Sequence, residues 1–281
     1  MFVRIVSGGV TDVGRVRSNN EDCFRIVEPL SLYVLSDGMG GEAHGEVASA
    51  MAVDTIVNYC SNPIRDPNDT AVIASQTGWS DKTRLLTKSV HRANKSIYEA
   101  AEANAEQHGM GATVTAAWID GSKLSVAHVG DSRAYLLRAG SLQQLTSDHS
   151  LVAEQVRRGI LTPAEAEQSE MQSVLLRALG AVPEIEVDTE EYVIFARDIL
   201  MLCCDGLTRM VTEPEIAGTL QAETDPTRAA EKLIALANER GGVDNITVIV
   251  ARIGAESRGW FSWLWGGGRK KAAGNGTSGG R

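Results

Sequence analysis

The four cysteines of the chain, Cys23, Cys60, Cys203 and Cys204, form no CxxC pair, and no histidine cluster accompanies them. Neither a zinc site nor a disulfide framework is suggested. No signal-like segment opens the sequence, so a reducing cytoplasm is the expected location. Long apolar runs are missing too: the longest in the body, I-L-M-L-C-C at 199–204, falls far short of the roughly 20 residues that cross a bilayer. There is no internal repeat. Nor is there an excess of positive charge. The net charge is −9, and residues 254–281 hold five basic residues against one acidic, which leaves the rest near −13. A body this acidic is a poor nonspecific partner for nucleic acid, but its carboxylates could hold cations.

What is present is the composition of an ordinary soluble protein, 43% hydrophobic and 22% charged. It is long enough for one substantial domain, expected over residues 1–253, followed by a tail over 254–281. The start reads as strands: F-V-R-I-V, then C-F-R-I-V-E and S-L-Y-V-L-S around Pro29-Leu30. From Glu42 to Cys60 the apolar spacing becomes helical, and a second helix fits 81–107, where Leu86, Val90, Ala93, Ile97 and Ala101 recur three or four apart. A Pro/Asn/Asp-containing loop, 61–79, separates them.

Four short strands in a meander follow between residues 112 and 146, with turn signals at Asp120-Gly121 and Ala139-Gly140. Residues 150–180 are polar, helical in pieces and suggest a small insert; Thr162-Pro163-Ala164-Glu165 is a capping box. Strands return at 184–195 and 198–204. Two helices come next, capped at Thr212-Glu213-Pro214-Glu215 and Asp225-Pro226, the second ending at Gly241-Gly242, and N-I-T-V-I-V-A-R-I is the last strand. Regular strand-helix alternation is absent, so the class is α+β, with antiparallel sheets covered by helices.

Aspartates recur at strand ends: Ser36-Asp37-Gly38, Gly130-Asp131-Ser132, Cys204-Asp205-Gly206 and Val243-Asp244-Asn245. In an antiparallel sheet the end of one strand and the start of its neighbour share an edge, so all four carboxylates could meet at one rim. If Pro29-Leu30 is a two-residue turn, paired residue numbers sum to 59 and Asp22 faces Asp37. Like charges across a ladder repel, which a bound cation or a raised pKa would relieve. A single aspartate before a small residue is commonly just a turn residue capping local N–H groups; four together, with Asp22 as a fifth, weigh against that. Oxygen ligands of this kind select Mg²⁺ or Mn²⁺. Gly38, lacking a Cβ, can bring its carbonyl close enough to join them.

The sequence resembles the metal-dependent serine/threonine protein phosphatases of the PP2C (PPM) family, particularly the compact bacterial type. The matching stretches are T-D-V-G-R-V-R-S-N-N-E-D (11–22), S-D-G-M-G-G (36–41), G-M-G-A-T (109–113), V-G-D-S-R-A-Y (129–135), L-T-S-D-H-S (145–150), R-A-L-G (177–180), C-D-G-L-T (204–208) and D-N-I-T (244–247), in the family's order. The resemblance implies a four-layer α-β-β-α sandwich, two antiparallel sheets flanked by helix pairs, with residues 150–180 as a flap. It implies that Asp37 bridges two Mn²⁺ or Mg²⁺ ions, that the Gly38 carbonyl serves the first, that Asp205 and Asp244 complete the second, and that Asp131 binds a weaker third. Glu21 and Asp22 would hold metal-bound waters, and Arg17 would grip the substrate phosphate.

The chemistry so implied is hydrolysis of phosphoserine and phosphothreonine on proteins by a water that two ions share and activate, with no cysteine nucleophile. Phosphorylated targets of a cognate Ser/Thr kinase are the expected substrates. The alternatives are a pseudophosphatase scaffold, against which the retained Asp37, Asp205 and Asp244 argue, and a small-molecule phosphohydrolase. The chain departs from eukaryotic members at Met39, where they carry a histidine, and from many bacterial relatives at Glu42; the general acid is left between His44 and a metal-bound water.

Other residues read as structural: the cysteines, Trp79 and Trp118 as packing, His91 and His108 as solvent-facing, His149 as support near the site. The segment W-F-S-W-L-W-G-G-G-R-K-K (260–271) joins aromatics to a basic cluster. It suits a weak interfacial membrane contact at the inner face, packing on the domain itself, or a partner. A monomer is expected.

Overall fold

The structure, a computed structural model, describes residues 4–40, 44–62 and 78–254. The tail beyond Gly254, Gly41 and Glu42, and most of the loop expected at 61–79 lie outside the described residues. Among the described residues no helix is long and apolar enough to cross a membrane.

Two antiparallel sheets carry the fold. One holds β1 (Ile5–Asp12), β11 (Ile246–Ile253), β10 (Ile199–Cys203), β7 (Arg133–Arg138) and β8 (Ser141–Gln144), in that spatial order. The other runs β2 (Asp22–Val27), β3 (Leu32–Met39), β5 (Val114–Asp120), β6 (Lys123–Val129) and β9 (Asp188–Val193), with the short β4 (Gly111–Ala112) on the end of β3. Helices α1 (His44–Ser61) and α2 (Asp81–Ala103) cover the second sheet, and α6 (Glu213–Ala222) and α7 (Pro226–Glu239) cover the first. Among the described residues three short helices remain: α3 (Leu151–Arg157), α4 (Pro163–Ala166) and α5 (Asp205–Thr208).

Period-2 alternation builds the four layers, because successive strand side chains point to opposite faces. On β3, Leu32 and Val34 pack against α1 and α2, while Tyr33 and Leu35 fill the space between the sheets. On β10, Leu200 and Leu202 enter that same central space, and Ile199, Met201 and Cys203 meet α6 and α7. Both faces of these strands are buried, which is why L-Y-V-L and I-L-M-L-C-C read as continuous apolar runs rather than alternating ones.

Several details differ from the sequence expectation. The β2–β3 register is the expected one, with Asp22 opposite Asp37, but a turn of 3-10 helix, Glu28–Leu30, with left-handed Ser31 connects the strands in place of a two-residue turn. The four middle strands are not one meander: β5–β6 and β7–β8 are hairpins in different sheets, and Gly130-Asp131-Ser132 crosses between them. The first strand runs on to Asp12 through Ser7-Gly8-Gly9, which look like breakers in sequence. A Cβ on Gly8 would collide with the backbone of Thr227 on α7, so close packing explains the small residues. Helix α2 stops at Ala103 and gives way to a 3-10 turn. Strand β9 is shorter than expected, and His91 is half-buried rather than solvent-facing.

The chain path brings the aspartates to one edge. Asp22 opens β2, Asp37 lies near the end of β3, Asp131 sits in the crossover from β6 to β7, Asp205 follows β10, and Asp244 precedes β11.

Candidate metal centre

At that edge a cleft of about 290 Å³ is lined by Arg17, Glu21, Asp37, Asp131, Asp205 and Asp244, among other residues. Gly38 lines it as well, and Asp22 lies behind Asp37, 9% exposed.

Each carboxylate is held by its own local scaffold. Thr113 brackets Asp37: its N–H donates to the Asp37 carbonyl at 2.8 Å, and its Oγ1 accepts the Asp37 N–H at 3.1 Å. Gly38 packs so tightly that a Cβ there would lie 2.0 Å from the Gly45 carbonyl oxygen, and its N–H donates to the Glu21 carbonyl at 3.1 Å. Asn245 ties the 13–21 segment to Asp244: its Oδ1 accepts the Glu21 N–H at 2.8 Å and its Nδ2 donates to the carbonyls of Val13 and Asn19. Asp205 is the first residue of α5, where the helix dipole favours a negative charge.

The electrostatics are those of a site short of positive charge. Burial is the largest cause in every case: it pushes Asp22 up to about 7 and Asp131 up to about 8, and it raises Asp37 and Asp205 above the ordinary carboxylate range, as it does Glu21. Neighbouring carboxylates add to this, Asp22 acting on Asp37 and Asp205 acting on Asp131. Asp22 Oδ2 accepts a 2.6 Å bond from Thr247 Oγ1, while its Oδ1 is buried with no hydrogen-bond partner among the described residues. A buried carboxylate oxygen without a donor is costly unless something positive reaches it.

Two arginines approach the cleft. Arg17 pairs with Asp244 through both ends of its fork, Nε to Oδ1 at 2.9 Å and Nη2 to Oδ2 at 3.0 Å. Arg209, one turn along from Asp205, contacts Asp205 Oδ2 at 2.6 Å and Asp244 Oδ2 at 3.5 Å. Sequence reading missed Arg209, whose i,i+4 spacing from Asp205 was the available signal. It also missed Cys204, whose thiol lies within 4.8 Å of ligand atoms of both Asp22 and Asp37. Burial raises the Cys204 pKa well above its ordinary value; the thiol stays protonated and donates to the Asn245 carbonyl at 3.3 Å.

The donor set therefore suits a hard divalent cation: carboxylate oxygens from five separate chain segments, one glycine cradle and one orphaned buried oxygen. All of the sequence-predicted site residues except Asp22 and the candidate acid His44 line the cleft. His44 opens α1, and its electrostatic influence reaches Glu21.

Comparison with known proteins agrees. The family profile described as Protein phosphatase 2C matches residues 15–238. The serine/threonine phosphatase stp of Listeria welshimeri is 38% identical over 252 residues, 85% of this chain and 92% of that one. The crystal structure of the serine/threonine phosphatase PstP/Ppp of Mycobacterium tuberculosis superposes with a TM-score of 0.77 at 35% identity, over 90% of this chain and 100% of that one. A structure of the catalytic domain of PstP in complex with two manganese ions superposes at 0.75 with 34% identity, over the same shares. Fold and site thus define a metal-dependent protein serine/threonine phosphatase. The chain belongs to the protein phosphatase 2C family.

Proposed function

We propose that the chain hydrolyses phosphoserine and phosphothreonine on proteins with two divalent ions, Mn²⁺ or Mg²⁺, held in this cleft. The observation that supports it most is the facing pair Asp22 and Asp37, with Asp22 Oδ1 unpartnered, at the base of a cleft walled by three further aspartates. Asp37 would serve both ions, the Gly38 carbonyl the first, and Asp205 and Asp244 the second, with Asp22 and Glu21 orienting the surrounding water. Asp131 offers a further carboxylate for a weaker third ion. Bound ions of this kind supply Lewis-acid charge and a water acidic enough to act as nucleophile at neutral pH.

The remaining work falls to the chain itself. Arg17 already binds a carboxylate bidentately, the geometry that takes two oxygens of a phosphate. Its side chain is 56% exposed, free to turn from Asp244 to a substrate at the mouth of the cleft. Burial around Asp22 and Asp131 keeps bulk water from screening the charges that act on phosphorus. The natural substrates in this reading are targets of a cognate Ser/Thr kinase, and the enzyme acts as a monomer in the cytoplasm; a single phosphatase domain spans residues 1–253. The test is hydrolysis of a phosphopeptide and an aryl phosphate with Mn²⁺, with Mg²⁺ and with EDTA, on the intact chain and on Asp37→Asn and Asp244→Asn. Metal-dependent turnover of the phosphopeptide, lost in both variants, supports the proposal. Turnover that survives either substitution contradicts it.

A further inference from the structure

Asp131 reaches the cleft from a crossover only three residues long, so its direction depends on what fixes the residues on either side. On the far side, Ser132 is anchored to β5: its Oγ lies 2.8 Å from Thr113 Oγ1, and its carbonyl accepts Thr115 Oγ1 at 2.7 Å. On the near side, Gly130 is held at both backbone groups by one residue. The Gly130 N–H donates to His149 Nδ1 at 3.1 Å, and the Gly130 carbonyl accepts the His149 N–H at 2.7 Å. Gly130 has φ +112°, and a Cβ there would lie 2.6 Å from Thr113. Glycine leaves such a turn free to take many backbone conformations, so an outside partner is needed to hold this one.

His149 is 3% exposed. Because Nδ1 accepts, the ring proton resides on Nε2, which donates to Asp188 Oδ2 at 3.1 Å. Burial lowers the His149 pKa, so the Nδ1 lone pair is available at neutral pH. Arg177 Nη1 lies 3.3 Å from the same Nε2, but both atoms carry hydrogens; Arg177 acts through Asp188, which it binds at 2.7 Å. The His149 carbonyl accepts the Leu176 N–H at 2.7 Å, and Ser150 bridges Leu175. One imidazole thus stands between the Asp131 turn, the R-A-L-G segment that closes the 150–180 insert, and β9.

We propose that His149 is a positioning residue: it clamps Gly130 so that the Asp131 carboxylate faces the cleft, and through Asp188 and Arg177 it makes that placement depend on the base of the insert. The inference rests on the metal-dependent reading of the cleft given above.

The experiment is calorimetric titration of Mn²⁺ into the metal-stripped full chain, with folding checked by circular dichroism. Asp131→Asn defines the part of the isotherm that Asp131 carries. His149→Leu is expected to weaken that part about 10-fold or more, the effect typical of losing a partner that orients a ligand, and to leave the remaining binding within about twofold. His149→Asn, whose side-chain oxygen can accept the Gly130 N–H, is expected to recover part of the loss. The double variant His149→Leu/Asp131→Asn should bind no more weakly than Asp131→Asn alone, because both act on one event. Should His149→Leu not fold, His149→Asn and Asp188→Asn carry the test, each expected to weaken the same part by a smaller factor. An isotherm for the folded His149 variant equal to wild type, an equal weakening of all binding, or an Asp131→Asn isotherm unchanged from wild type overturns the inference. A wild-type protein that binds no Mn²⁺ would instead remove the metal reading itself.

Discussion

Asp22 and Asp37 face each other across the β2–β3 ladder, two carboxylates on one side of the sheet, with Thr247 Oγ1 donating to Asp22 Oδ2 at 2.6 Å and, among the described residues, no hydrogen-bond partner for Oδ1. Thr247 Oγ1 also lies 2.7 Å from Thr11 Oγ1. Replacing Thr247 by Val keeps the shape and removes that donor. We expect a loss of about 1–3 kcal/mol in denaturant unfolding, the usual penalty for a buried group stripped of its partner, and Mn²⁺ binding weaker by about 10- to 100-fold. Unchanged stability and binding would show that Thr247 does not support Asp22.

Gly38 cannot take a methyl group, since the Gly45 carbonyl oxygen occupies the place where a Cβ would stand. Gly38→Ala must push β3 and the start of α1 apart, at a cost of about 1–3 kcal/mol or more. Activity should fall with it, because the strand that moves carries Asp37. Thermal unfolding and phosphopeptide turnover measured together check this; an alanine variant with wild-type values for both contradicts it.

Much of this architecture was legible in the sequence, and the parts that were not have physical causes. The Asp22–Asp37 pairing followed from centring the β2–β3 register on Pro29-Leu30, which the structure keeps although a 3-10 turn replaces the two-residue turn, and the capping boxes at Thr162 and Thr212 stand where the local chemistry put them. Gly8 and Gly9 look like a break but belong to β1, because the constraints on them are tertiary: Thr227 of α7, more than 200 residues away, leaves no room for a Cβ on Gly8, and the Phe24 ring of β2 leaves none on Gly9. The change of sheet at Gly130–Ser132 has no local signal either: the hairpin β5–β6 and the hairpin β7–β8 look alike in sequence, and only packing decides which sheet each joins. Cys204 and Arg209 escaped notice because their roles are set by carboxylates that arrive from distant segments.

Arg17→Lys separates charge from geometry. Lysine keeps the cation but loses the planar fork that grips two oxygens. We expect kcat/KM to drop about 10- to 100-fold, the equivalent of about 1.5–3 kcal/mol for a charge-assisted hydrogen bond, with Mn²⁺ affinity changed little. A lysine enzyme as active as wild type contradicts the assignment of Arg17 to the phosphate.

The metal-free protein should show two opposing pH effects. Asp22 and Asp131, raised from 3.8 to about 7 and about 8, favour the folded state below about pH 4, and that contribution is lost as pH rises through 7 to 8. His128, buried and pushed down from 6.5 to about 4, contributes above about pH 6.5 and loses its contribution as pH falls through 4. Urea unfolding of chelated protein should therefore give a stability that declines at both ends of this range. Added Mn²⁺ should stabilise more at pH 8 than at pH 6, since the ions require ionised carboxylates. A Mn²⁺ effect that is equal at the two pH values contradicts this reading.

The most direct test of the central claim is anomalous diffraction from crystals of the intact chain soaked in Mn²⁺. Two manganese peaks in the cleft are predicted, both in contact with Asp37, and one of them also with Asp205 and Asp244. A well-ordered cleft with no peak against Asp37 at saturating Mn²⁺ would contradict the account.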